Sequence, residues 1–265
     1  MKRTHGLGLS AICLVATLAL ATPARAQEAT TEAGPADRWS FALAPYLWMI
    51  ELDGNATVGG IKTDVDVPFK DSLKDLSFGG MLLGTVRKGR FGFALNGVFT
   101  RVSPDDSVGG VDIDTTSDLA SLAAAPFYRV VDWTYREGAD GTPRRFFLEP
   151  YAGARWNYLR VELEIRGGRQ FDQNQSWVDP IVGTRFGLDL TDRLMLAGAG
   201  DVGGVVTGSD FAWNVQGYLA YQTKLFGRET ILSVGYRALH TDYDHDNFKW
   251  DVTQHGPIIG TAIRF

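Results

Sequence analysis

From Arg38 to the C-terminus, apolar and polar side chains alternate with a period of two, the pattern of strands that face different surroundings on their two sides. Trp213, Val215, Leu219 and Tyr221 share one face of a segment whose other face carries Asn214, Gln216, Tyr218 and Gln222. The next segment sets Leu232, Val234, Tyr236 and Ala238 against Ser233, Gly235 and Arg237. Leu148, Pro150, Ala152, Ala154 and Trp156 oppose Phe147, Glu149, Tyr151, Gly153 and Arg155, and Val178, Val182, Phe186 and Leu188 oppose Asp179, Gly183 and Arg185. One face is uniformly apolar; the other mixes ions, glycine and large polar groups.

A soluble two-sheet sandwich also alternates, hiding its apolar face between sheets. Three features favour a closed transmembrane barrel. The segments run roughly 12 to 20 residues, which suits a tilted membrane strand with an external extension better than an ordinary strand of about 5 to 6. Their polar faces hold Arg, Asp and Glu among glycines, as a crowded barrel interior requires. Aromatics collect toward segment ends (Trp39, Trp48, Phe91, Trp133, Phe146, Trp156, Tyr158, Trp177, Trp213, Tyr221, Trp250), as interfacial girdles do. The reading is all-β: a closed antiparallel transmembrane β-barrel of about 10 strands, with 8 and 12 left open. The strands are placed near 39–52, 76–88, 90–103, 118–133, 145–164, 176–190, 194–207, 211–225, 230–242 and 250–265. Short connections at Lys88-Gly89, Thr191 to Arg193 and Phe226 to Glu229 are read as periplasmic turns. Longer stretches around 53–75, 104–117, 165–175 and 242–249 are read as extracellular loops. The connection 134–144 is long for a periplasmic turn, and 207–211 is short for an outside loop.

Ahead of this region, Lys2 and Arg3, an apolar run from Gly6 to Ala21 and Ala24-Arg25-Ala26 read as a cleaved signal peptide over residues 1–26. Residues 27–37 read as a flexible periplasmic lead-in, and 38–265 as the barrel. The formal charge is −5, and without the leader's three cations the rest carries 23 basic against 31 acidic residues, which excludes the basic footprint of a nucleic-acid binder. The single cysteine, Cys13, lies in the leader, so no disulfide framework or thiolate metal site is available, and no cofactor motif is present.

The stretches WVDPIVGTRFGLDL, GDVGGVVTGSDFAWN and GYRALHTDYDHDNFKWDVTQHGPIIGTAIRF resemble small Gram-negative outer-membrane β-barrels, in particular a largely uncharacterised proteobacterial group. The resemblance implies a cell outer-membrane location among lipid and lipopolysaccharide, and a closing strand (Ile259, Ile263, Phe265) read by the barrel-assembly machinery. It carries no activity.

Counting up from the periplasmic ends, Arg129, Glu149 and Arg185 fall in one layer, Arg155 and Asp179 in a second, and Asp201 and Arg237 in a third. This predicts a lumenal ionic network, with Tyr151, Phe147 and Tyr218 narrowing the same interior. Asp242, Asp244 and Asp246 have the 1, 3, 5 spacing of a calcium loop, but Asn247 stands where that loop needs glycine and Thr253 where it needs glutamate. A looser divalent-cation site near lipopolysaccharide phosphates is the residual candidate; no firm metal site is assigned. Phe69, Leu73 and Leu76 have helical spacing and suggest a short helix capping the rim. His255 is placed outward near the upper rim among apolar neighbours such as Leu43, Pro45, Leu47 and Val234, out of reach of lumenal Asp201. His240 and His245 are read as outer-rim residues beside Asp242 and Asp244. The functional reading is a non-enzymatic barrel, structural or a narrow channel for small polar solutes. The alternative is a surface protein binding cations, lipopolysaccharide or an external partner through acidic loops, and a rim hydrolase is a third.

Overall fold

The computed structural model describes residues 38–58, 61–68, 76–102, 105–108, 111–138, 141, 143–165, 169–225, 227–245 and 248–265. The expected signal peptide and lead-in, Phe69 and Leu73 of the expected rim helix, and Asp246 lie outside the described residues; Leu76 opens a strand.

Ten staves form one closed antiparallel wall. The first is β1 (Trp39–Trp48) continued by β2 (Glu51–Val58), and the second is β3 (Ile61–Val67) with β4 (Leu76–Lys88). The third is β5 (Phe91–Val102) with β6 (Asp105–Val108), and the fourth β7 (Val111–Tyr128) with β8 (Val131–Glu137). The rest are β9 (Pro143–Ile165), β10 (Arg169–Asp189), β11 (Leu194–Gly204), β12 (Phe211–Leu225), β13 (Arg228–His245) and β14 (Phe248–Arg264). Closure comes from β1 on β14, with Ala42 opposite Arg264 and Trp48 opposite Ile258, and the same register runs on into β2, where Thr57 faces Lys249. Where β1 gives way to β2, Gly256 (φ +152°) lies so close to the Met49 carbonyl that a Cβ would collide with it.

Alternation sorts the two faces. Leu43, Leu82, Leu95, Leu122, Val182, Val215, Leu219, Leu232, Val234 and Ile259 all stand exposed on the outside, more apolar surface than a water-soluble protein leaves uncovered. Trp39, Phe91, Tyr128, Trp133, Tyr221 and Phe265 ring the end where the short turns lie. Near the other end the apolar band gives way to charge: Arg101 binds Asp118 at 2.6 Å, and Arg160 pairs with Glu162.

Several stretches expected as loops are wall. β2 and β3 stay paired to Val58–Ile61, β6 and β7 to Val108–Val111, β9 and β10 to Ile165–Arg169, and β13 and β14 to His245–Phe248. Above the membrane the outer face of a strand is wet, so it loses its apolar signature although the ladder continues and the inner face still buries Ala56, Tyr243 and Phe248. On the opposite end, residues 134–137 and 143–144 extend the strands too: β8 pairs with β9 as far as Glu137–Pro143. Its Tyr135 hydroxyl donates to the Asp189 carbonyl at the next turn. Trp48, Trp177 and Trp250 are not girdle residues. They are buried inside the barrel.

Candidate functional site

The lumen is packed in three tiers. In the tier nearest the short turns, Glu149 is fully buried and accepts from Arg129 Nε at 2.7 Å, from Arg185 Nε at 2.5 Å and from Arg87. Sequence reading placed Arg129, Glu149 and Arg185 at one height but missed Arg87, which arrives from β4 on the far side of β5 and β7. The guanidiniums of Arg185 and Arg129 stack on Phe127 (3.5 Å) and Phe147 (4.5 Å), so apolar rings shield the cluster.

In the middle tier, Arg155 Nη2 donates to Asp201 Oδ1 at 2.6 Å, and Asp201 Oδ2 also accepts from Tyr151 (2.8 Å) and Asn214 (2.9 Å). Arg237 reaches Asp201 only through Asn214, whose Oδ1 accepts from Arg237 Nε at 2.8 Å. Arg155 therefore bonds Asp201 and not Asp179, the acid in its own layer. Arg155 and Asp179 do face each other across β9 and β10, but Asp179 is taken up by the β11–β12 connection, accepting from Ser209 N (2.7 Å) and Ser209 Oγ (3.0 Å), and by Asn157 of β9 (2.9 Å). Counting heights cannot reveal this, because Ser209 belongs to a turn that folds in over the strand ends.

The upper tier has little charge. Ala56, Leu159, Trp177, Tyr243, Phe248, Trp250 and Val252 form one apolar cluster, and Trp48, Met81, Val98, Leu239 and Ile258 form another. Parity contained this signal: Trp177 alternates with outward Val178, and Trp48 with outward Leu47.

Outside, two expectations change. His255 lies on the outer face, but β2 extends the first stave far enough to bring acids to it: His255 Nε2 lies 2.6 Å from Asp53 Oδ2 and Nδ1 lies 2.8 Å from the Tyr236 hydroxyl. Its surroundings are thus polar, not only apolar. Asp242 and Asp244 flank Lys249, whose Nζ is 3.6 Å from each, so the cation between them is the chain's own. Asp242 and then Asp244 hold that ammonium above its ordinary pKa. Among the described residues no group of acidic, histidine or cysteine side chains has metal-binding geometry. His240 contacts Thr253 (3.1 Å) and stacks on Trp213 at the upper edge of the band; Tyr243 and His245 are ring neighbours at 6.3 Å.

A closed wall with an apolar outside and a charged, packed inside pairs each stave with both neighbours across the apolar band, as a bilayer demands. The chain is a transmembrane β-barrel. This is the architecture of Gram-negative outer-membrane proteins. No family model matches the sequence, and no curated protein matches it. Among solved structures, Ail, the attachment invasion locus protein of Yersinia pestis, in complex with the heparin analogue sucrose octasulfate, is 13% identical, with 86% of this chain and 99% of that one covered and a TM-score of 0.36. Neisserial surface protein A is 15% identical, with 85% and 97% covered and a TM-score of 0.34. A Pseudomonas aeruginosa FadL homologue is 9% identical, with 86% and 90% covered and a TM-score of 0.25. At these values the barrel assignment rests on this chain's own geometry.

Proposed function

We propose that this protein is a small structural barrel of the Gram-negative outer membrane whose lumen is closed by its own side chains, so that it conducts little or nothing at rest. The observation that carries the reading is the complete burial of Glu149 in the lower tier and of Asp179 in the middle one, together with an Arg155–Asp201 pair in which each side chain is only 3% exposed. A water column through the barrel would wet these groups. Ions so far from water persist only when paired or hydrogen-bonded: Glu149 and Asp201 have arginine partners, and Asp179 accepts three hydrogen bonds. The test is planar-bilayer recording of the folded protein: the wild type should be nearly silent, and Arg155→Ala should admit current. A steady, large wild-type conductance unaffected by that substitution would overturn the closed-lumen reading in favour of an open narrow channel for small polar solutes.

A second reading is supported by the outer rim. Glu51, Asp53, Asp242, Asp244 and Asp251 lie on the outer face above the apolar band, at the height of lipopolysaccharide headgroups. Divalent cations bridging these carboxylates to lipid phosphates would make the barrel a surface interaction protein. Binding to lipopolysaccharide vesicles that collapses on magnesium chelation would support it, and chelation-insensitive binding would count against it. In either reading, Phe265, Ile263 and Ile259 form the strand offered to the barrel-assembly machinery.

A further inference from the structure

The lower tier of the lumen carries a charge imbalance that its own ion pairs do not remove. Three guanidiniums, those of Arg87, Arg129 and Arg185, converge on the single carboxylate of Glu149, and a second carboxylate, Asp132, reaches Arg129 Nη1 at 3.1 Å. Three cations against two anions leave one positive charge over. The middle tier is balanced, with Arg155 and Arg237 against Asp179 and Asp201. At the mouth below the cluster Arg145 and Asp189 offset each other, the Arg145 amide donating to Asp189 Oδ2 at 2.9 Å. The surplus therefore belongs to the lower tier.

The cluster is also one-sided. The Glu149 side chain is wholly covered, whereas those of Arg87, Arg129 and Arg185 are 22%, 15% and 22% exposed. The buried middle tier closes the lumen on one side of them, so their exposed edges look toward the short-turn mouth, the periplasmic end of such a barrel. A solute arriving from that mouth meets guanidinium N–H groups, with Asp132 as the one accessible carboxylate of the tier.

These guanidiniums are fixed before anything binds. Phe127 of β7 lies opposite Gly92 of β5, and Phe147 of β9 lies opposite Gly187 of β10; a Cβ on either glycine would collide with the facing ring. The rings thus settle against the wall and back the arginines. Arg185 and Arg87 lie over Phe127 at 3.5 and 5.2 Å, and Arg129 lies over Phe147 at 4.5 Å. Arg185 meets Glu149 through Nε, which leaves the fork of its two η-nitrogens for another acceptor. Guanidiniums stacked and hydrogen-bonded in this way lose little freedom when an oxyanion docks on them.

We propose that the lower lumen is a receptor for a phosphate group, which enters from the periplasmic mouth and bridges Arg87 and Arg185, the two arginines that share the Phe127 ring, with Arg129 beside them. A singly charged phosphate neutralises the surplus. Its tetrahedral oxygens suit donors arriving from three different staves, whereas a planar carboxylate offers two oxygens. Free phosphate and the phosphomonoester end of a larger periplasmic molecule present the same group. The inference rests on the transmembrane orientation, and it holds whether or not the lumen conducts, because the site is reached from one end.

The probe is radiolabelled inorganic phosphate, measured by equilibrium dialysis against folded barrel in phosphatidylcholine nanodiscs, with empty nanodiscs as the blank. One saturable site per barrel is expected, displaced by sulfate and not by acetate at the same concentration. Arg185→Gln, which leaves Glu149 its other two arginines, should weaken binding about tenfold in barrels that remain heat-modifiable. Asp132→Asn, which removes the accessible carboxylate, should tighten binding several-fold, a gain that damage to the fold does not produce. Competition by glycerol phosphate supports a phosphomonoester as the occupant, and its failure to compete supports the free ion. Absence of saturable uptake overturns the proposal, as does uptake that neither substitution changes, which would be adventitious binding elsewhere on the barrel. Equal displacement by acetate overturns the choice of phosphate. Bilayer recording of wild type and Arg155→Ala separately tests the closed-lumen reading, so the failure of one is distinguishable from the failure of the other.

Discussion

Arg155 and Asp201 meet at 2.6 Å in mid-lumen, and Asp201 has two further donors, Tyr151 and Asn214, on its other oxygen. Removing one partner leaves an uncompensated charge in a dry interior, which costs about 3 to 5 kcal/mol, whereas replacing both with matched apolar groups costs far less. Asp201→Asn and Arg155→Met should each lower the urea midpoint for unfolding in lipid vesicles, and the double variant should recover part of the loss. Additive losses would mean that the two residues are not coupled.

Leu219 and Val234 face each other across β12 and β13 on the outer wall. An arginine at this depth costs about 2 to 4 kcal/mol. Leu219→Arg should reduce insertion into vesicles, read as the heat-modifiable fraction on gels, while Gln216→Arg on the inward face of the same strand should not show this lipid penalty. Equal insertion of Leu219→Arg and wild type would argue that this face is not in lipid.

Val205 has φ +70°, a left-handed conformation that a β-branched side chain resists. Val205→Gly should stabilise the barrel by about 1 kcal/mol. Gly208→Ala, three residues on, should destabilise it by more than about 1 kcal/mol, because it combines a positive φ with a collision against β10. Opposite shifts of the unfolding midpoint are the expected signature.

Phe265 exchanges both backbone hydrogen bonds with Phe41, at 2.9 and 3.3 Å, and its ring lies 5.0 Å beneath the Arg228 guanidinium. Deleting Phe265 should lower the amount of folded protein in the membrane several-fold in cells. Normal accumulation would remove the terminal aromatic from any role in assembly.

The lipid-facing residues and the inward parity of Arg129, Glu149, Arg155, Asp179, Arg185, Asp201 and Arg237 were legible from alternation alone, because a period of two leaves no freedom once one face is fixed. Height was less legible. Arg87, Arg129 and Arg185 converge on Glu149 from three different staves, and a count along single strands cannot see how long side chains lean across a curved wall. Asp179 does lie level with Arg155, but its hydrogen-bond partner Ser209 could not be foreseen because it comes from a turn. Trp177 and Trp250 illustrate a different gap: position near a segment end suggested an interfacial ring, while parity pointed inward, and parity won. The extracellular extensions escaped notice because their outer face is wet and carries no apolar stripe, leaving inward residues such as Tyr243 and Phe248 without an alternating partner face.

The seam between β1–β2 and β14 runs in unbroken register from Ala42–Arg264 to Thr57–Lys249. Residues more than two hundred positions apart must therefore meet before either has its ladder, and no shorter piece of the chain can substitute for one of them. Such extreme contact order makes closure the late, slow event in folding. Until it happens the sheet presents two long open edges, each a template for another chain. An arrested or truncated polypeptide should consequently be hazardous rather than merely inactive, which gives the cell reason to hold the nascent barrel on a chaperoning surface until its last residue arrives.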